Sequence, residues 1–202
     1  MKISLITPAG KQSKNGNRTT ALRWARLLRQ SGHLVRISTD YEGEATDVMI
    51  ALHARHSGAA VRRYREQMTQ GPLVVGLGGT DVNTFLQTER ALTLGSMDMA
   101  DALICLHDLI GPELPAPLRP KLHVVRQSAQ PLTQPRQPSK RHFDICVIGH
   151  LRAEKDPFRT ALAARLLPPT SRLRVHHLGG AHSMDFADQA QAEMARNPRY
   201  SW

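Results

Sequence analysis

Short apolar runs alternate with amphipathic stretches along most of the chain. Residues 3–7, 34–38, 47–52, 72–77, 102–106 and 121–125 are strand-length and rich in Val, Ile and Leu. Between the first two, Ala21, Leu22, Trp24, Ala25 and Leu28 recur at helical spacing, which predicts a helix over 18–30 capped by Asn17 and closed by Gly32. Val61, Tyr64 and Met68 predict a second helix, begun by Ser57 and stopped by Gly71-Pro72, and residues 88–96 read as a third. A strand–helix–strand rhythm of this kind implies right-handed crossovers and a parallel sheet, with the loops that follow the strands gathered at its carboxyl edge.

The rhythm stops at residues 129–141, where Pro131, Pro135 and Pro138 stand among polar residues without periodicity, as an interdomain linker does. It then restarts: strand 143–148, helix 157–167, strand 172–178, helix 183–196, and an approach to a third strand in residues 197–202. The expected architecture is α/β, of two Rossmann-like parallel-sheet domains, 1–128 and 142–202. Two βα units do not close a doubly wound domain, so the second reads as incomplete and the chain as C-terminally truncated.

Hydrophobic residues make up 41% of the 202, enough for an ordinary core. The formal net charge of +10 and a pI near 10.4 imply anionic partners. The arginines are dispersed and aromatics reach only 4%, which favours phosphorylated small molecules over nucleic acid. No apolar run approaches the roughly 20 residues that span a bilayer, and Met1-Lys2 leads straight into a strand, so the expected location is the cytoplasm, away from membranes. Cys105 and Cys146 fall in predicted buried strands and read as packed, reduced thiols. His176 and His177 would point to opposite faces of one strand, and with His182 they make no metal-ligand pattern. No Asp-x-Asp occurs, so neither a metal nor a cofactor is expected.

Several loops at strand ends carry candidate chemistry. Residues 8–17 hold Lys11, Lys14, Asn15, Gly16 and Asn17 and run into Arg18 at a helix start, a setting suited to an anion. His53 closes the third strand, and Gly78-Gly79-Thr80-Asp81 follows the fourth with a hydroxyl and a carboxylate; Asp81 also reads as a cap. In the second domain Gly149, His150, Arg152 and Lys155 lead to Asp156 and Pro157, which suit an N-cap and a first helical position. Backbone N–H groups, a helix dipole and two cations would then meet at one phosphate-sized spot.

Residues 149–156, Gly-His-Leu-Arg-Ala-Glu-Lys-Asp, resemble the Gly-Arg-Leu-x-x-Glu-Lys-Gly loop of the retaining GT-B glycosyltransferases of family 4. In that family the arginine and lysine hold the donor diphosphate. Lys155 falls on the lysine position; His150 stands where the arginine usually is, and its role passes to Arg152. A narrower resemblance adds Thr7-Pro-Ala, Gly16-Asn-Arg18, Ala51-Leu-His-Ala-Arg55, Gly79-Thr-Asp81 and Gln127-Ser128, and covers nearly the whole chain: these segments look like the selenosugar synthases of selenoneine biosynthesis. The resemblance implies a GT-B fold and transfer of a sugar from UDP-N-acetylglucosamine or UDP-glucose to selenophosphate, giving a 1-seleno-sugar. It assigns Arg152 and Lys155 to the leaving diphosphate, Gly16, Asn17 and Arg18 to selenophosphate, and His53, Thr80 and Asp81 to the acceptor or sugar side. The alternatives are an ordinary family 4 glycosyltransferase with a hydroxyl acceptor and a non-catalytic basic module for phospholigands or nucleic acid.

Overall fold

The computed structural model describes residues 1–13, 15–135 and 137–202, so Lys14 of the first candidate loop lies outside the described residues. Internal contacts divide the chain into two units, Met1–Ala129 and Gln130–Trp202.

In the first unit, β1 (Lys2–Ile6), β2 (Leu34–Ser38), β3 (Val48–Leu52), β4 (Leu73–Gly76), β5 (Ala102–Cys105) and β6 (Leu122–Val124) form one sheet in the order β2-β1-β3-β4-β5-β6. Every pair is parallel. Alternate side chains serve two cores, as the two-residue period of a strand requires. Leu5, Ile50 and Leu52 pack under α1 (Gly16–Gln30) with Ala21, Trp24 and Ala25. Ile6, Met49, Ala51, Leu73 and Val75 face the other way, against α2 (Gly58–Gln67) and a segment made of a π-helical turn at Asp81–Phe85, the single turn α3 (Leu86–Thr88), and α4 (Arg90–Met99). Each fully buried Leu or Ile here contributes roughly 1.5–3 kcal/mol relative to exposure.

Two expected caps sit differently. Asn15, in extended conformation, accepts from the Arg18 N–H at 3.0 Å and is the N-cap of α1, which places Asn17 inside the first turn, where it cannot cap. The Ser57 hydroxyl donates to the Leu52 carbonyl at 2.6 Å and makes no side-chain cap bond to α2.

The second unit pairs β7 (Phe143–Ile148), β8 (Leu173–Leu178) and β9 (Tyr200–Ser201) in the order β7-β8-β9, all parallel, so the approach to a third strand does become one. The helices α5 (Arg159–Arg165) and α6 (Met184–Arg196) supply Ala161, Ala164 and Met194 to a core with Val147, Val175 and Tyr200. Glu193 of α6 is buried behind that core, bonded by Asn197 and Arg196 and paired with Arg165. Burial alone would raise its carboxyl; those hydrogen bonds and charges outweigh burial and hold it below the ordinary glutamate range.

The opposite face of this sheet carries Asp144, Cys146, Ile148, Arg174, His176 and Leu178, exposed or partly so, with Ile148 at 82%. Cys146 is therefore not the buried thiol its apolar neighbours suggested; Cys105, in the two-sided sheet, is. The expected start of the next helix is also displaced. Residues Ala153–Lys155 form a 3-10 turn and Asp156 adopts a left-handed conformation at φ 44°, where its carboxylate accepts from the Arg159 side chain instead of capping. Helix α5 begins three residues after Asp156 and has only seven residues, so its dipole is not the strong anion site the sequence implied.

Candidate functional site

Strand β1 lies between β2 and β3, so the chain crosses in opposite directions on its two sides. The loops after β1 and β3 therefore part at this switch point, the place where open parallel sheets take ligands. Candidate residues of the first unit gather at this carboxyl edge.

His53 follows β3 directly and has φ 74°, a left-handed conformation that few residues other than glycine adopt. Its ring is buried, with the side chain 4% exposed. Nδ1 lies 2.8 Å from Oδ1 of Asp81, and Nε2 lies 2.8 Å from Oγ1 of Thr80. The His56 N–H donates to the same Nδ1 at 3.3 Å.

Asp81, fully buried, also accepts from the N–H groups of Ala54 at 2.9 Å, Arg55 at 2.8 Å and Gly78 at 2.8 Å. It thus ties the loop after β3 to the loop after β4. Gly78 is required by packing: a Cβ there would stand 2.9 Å from the His53 ring. Gly79 meets nothing within 4 Å and is exposed beside the partly exposed Thr80. His56 and Phe85 close the other side, with the His56 ring 4.3 Å and the Phe85 ring 5.7 Å from that of His53. Sequence reading placed His53, Thr80 and Asp81 at one edge but had no signal that the His53 ring would stand 2.8 Å from both of the others.

Gly16, Asn17 and Arg18 form the first turn of α1, which follows β1 at the same carboxyl edge. The Nε atom of Arg18 is shielded from solvent with no hydrogen-bond partner among the described residues.

In the second unit the loops after β7 and β8 are stitched together. Leu151 donates to Gly180, His182 donates to Leu151, and the Gly180 N–H donates to Nδ1 of His150 at 3.1 Å. Gly179 crosses Gly149 so closely that a Cβ would fall 2.0 Å from the Gly149 carbonyl oxygen. His177, 3% exposed, braces this crossing: its Nε2 donates to Gly149 O and its Nδ1 accepts from the Tyr200 hydroxyl, each at 3.0 Å. Burial, with the Glu193 charge adding to it, pushes the Tyr200 phenol up to about 12, so it stays a donor. On the turn that follows, Lys155 is exposed, and the Nε of Arg152 is shielded with no hydrogen-bond partner among the described residues, 3.9 Å from Glu154. His176 faces away from His177, and among the described residues no group of His, Cys, Asp and Glu is placed to hold a metal ion.

No family model matches the chain, and no curated protein does. A solved structure of Acinetobacter baumannii MurG matches it with a TM-score of 0.50 at 14% identity, covering 99% of this chain and 64% of that one. The fold is GT-B. This chain thus spans just under two thirds of the length of that GT-B structure. No helix among the described residues is long and apolar enough to cross a membrane.

Proposed function

We propose that this chain is a glycosyltransferase that takes its sugar from a UDP-linked donor and passes it to selenophosphate, yielding a 1-seleno-sugar and UDP. The observation that carries the glycosyl-transfer reading is the GT-B fold. The donor and acceptor rest on the residue resemblances at 16–18, 51–55, 79–81 and 149–156, and two features of the molecule support them. The Arg152 guanidinium has an Nε that the described protein leaves unbonded, on the same turn as the exposed Lys155, as a diphosphate ligand pair would be. Arg18 has the same character at the start of the fifteen-residue α1, beside the Gly16 and Asn17 backbone, and suits a second phosphate-like anion.

In this reading Arg152 and Lys155 neutralise the charge that grows on the departing diphosphate. Gly149 and His150 shape the loop beneath it. Gly16, Asn17 and Arg18 bind selenophosphate, and His53, Thr80 and Asp81 border the acceptor. No metal is asked to hold the diphosphate. A second reading, transfer to a hydroxyl acceptor, is favoured by one observation: the Thr80–His53–Asp81 series resembles a base that an anionic selenium nucleophile does not need.

Calorimetric titration with UDP-N-acetylglucosamine tests the donor assignment. The parent chain is expected to bind, and the Arg152→Ala/Lys155→Ala double variant to bind about 100-fold more weakly, as loss of two charge-assisted contacts implies. Equal binding by both removes the diphosphate from this turn; no binding by the parent removes the donor.

A further inference from the structure

We propose that the amino edge of the second unit's sheet is a binding cleft for a small phosphorylated organic molecule, with the guanidiniums of Arg165, Arg172, Arg174 and Arg199 on its phosphate. The cleft lies within the second unit and asks nothing of the glycosyl-transfer reading.

Topology assembles it. The three strands are parallel, so the residues just before them come to one edge: His142 before β7, Arg172 before β8 and Arg199 before β9. Helix α5 runs back from the carboxyl edge, as a crossover between parallel strands must, and ends on Arg165. These four residues and Arg174 line one cleft of about 730 Å³, within the usual range for small-molecule sites. The length of β7 puts this edge roughly 20 Å from the loop of residues 149–156, at a strand's rise per residue.

Charge and rigidity give the cleft its chemistry. Each guanidinium is fixed at one edge and keeps the rest of its donors in reserve. Arg199 gives Nη2 to the Pro168 carbonyl at 2.7 Å and Nη1 to that of Ala164 at 3.5 Å, and Arg172 gives Nη1 to that of Lys140 at 3.4 Å. Arg165 and Arg174 rest through Nε on Glu193 at 3.2 Å and Asp144 at 2.9 Å. Glu193 is shared with Arg196, and Arg172 and Arg199 have carbonyls alone as partners among the described residues, so the cleft keeps a positive excess. Forks held in this way have lost rotamer freedom before a ligand arrives, which favours bidentate binding of phosphate. A second hollow of about 540 Å³ adjoins the cleft, shares Leu167, Ser171, Arg172 and Leu173 with it, and has Phe143 in its wall. Phe143 is 69% exposed, an aromatic surface on which the organic part of the ligand can rest.

Amide 15N–1H spectra of the full chain test this, with inorganic phosphate and phenyl phosphate as probes and sodium chloride at equal ionic strength as the reference. Both probes are expected to move the amides of residues 142–143, 170–174 and 199. Phenyl phosphate should bind about 10-fold more tightly, the effect of covering part of its ring. Arg172→Gln, which keeps an amide donor for the Lys140 carbonyl and so spares the fold, should weaken both probes about 10-fold, and Arg172→Lys should recover only part of the loss. The Arg152→Ala/Lys155→Ala variant should bind both probes at this edge as the parent does, which separates the cleft from the donor loop. Shifts confined to residues 16–18 or 149–156, undiminished affinity in Arg172→Gln, or the same shifts with chloride overturn the cleft. Equal affinity for the two probes overturns the organic ligand. A short oligouridylate that displaces phenyl phosphate at lower concentration overturns the small molecule in favour of nucleic acid.

Discussion

Each unit buries one histidine at the carboxyl edge of its sheet and uses it to join neighbouring segments of the chain, yet the two rings are wired differently. His177 is the last but one residue of its strand, with an ordinary backbone, and its nitrogens end on a buried phenol and a backbone carbonyl. His53 sits past the end of its strand in a left-handed conformation, and one of its nitrogens ends on a hydroxyl that reaches the surface. Burial and full bonding are common to both. What separates the two is whether the contacts of the ring terminate inside the protein or at its boundary.

Removing the anchor of the first ring should have the largest effect. Asp81→Ala strands the N–H groups of Ala54, Arg55 and Gly78 and is expected to cost about 4 kcal/mol, read in denaturant unfolding of the first unit. The loop crossing that the second ring braces comes next. Gly179→Ala drives a Cβ into the Gly149 carbonyl, a backbone atom that cannot swing aside, and should destabilise the second unit by about 3 kcal/mol in the same assay.

Glu193 stands behind the brace, and its effect depends on pH. Its folded carboxyl titrates below the ordinary value near 4.5, so its contribution is present above that value and lost as the pH falls through the folded one. Glu193→Gln should lower stability by about 2 kcal/mol at pH 7 and flatten the acid limb of the second unit's stability curve. The smallest effect is the most discriminating. Tyr200→Phe removes one hydrogen bond from His177 and should cost about 1 kcal/mol, leaving the His53 imidazole resonances unmoved.

Much of the fold is legible in the sequence because strand and helix periods are local properties. Residues 34–38 and 143–148 are strands over the lengths their apolar runs imply, and Ser183 begins α6 as expected. Legibility fails where a choice between neighbours depends on tertiary fit. Asn15 and Asn17 are chemically equal as caps, and only the path of the loop decides for Asn15. Asp156-Pro157 carries a helix-start signature, but the left-handed turn delays the helix to Arg159. For the candidate site, sequence yields an edge with His53, Thr80 and Asp81 on it; the bonds among residues 27 and 28 apart come from β3 and β4 lying side by side. Cys146 shows the converse, an apolar run whose one face finds no cover among the described helices.

The carboxylate of Asp81 has a consequence for motion. Because it holds the Ala54, Arg55 and Gly78 amides at once, these hydrogens cannot be released by fraying of either loop alone. They should exchange with solvent deuterium only when the first unit opens as a whole, at the slow rates of its central strands. Such a patch is a rigid floor set at folding, so any molecule that settles on Thr80 meets a surface that has already surrendered its conformational entropy.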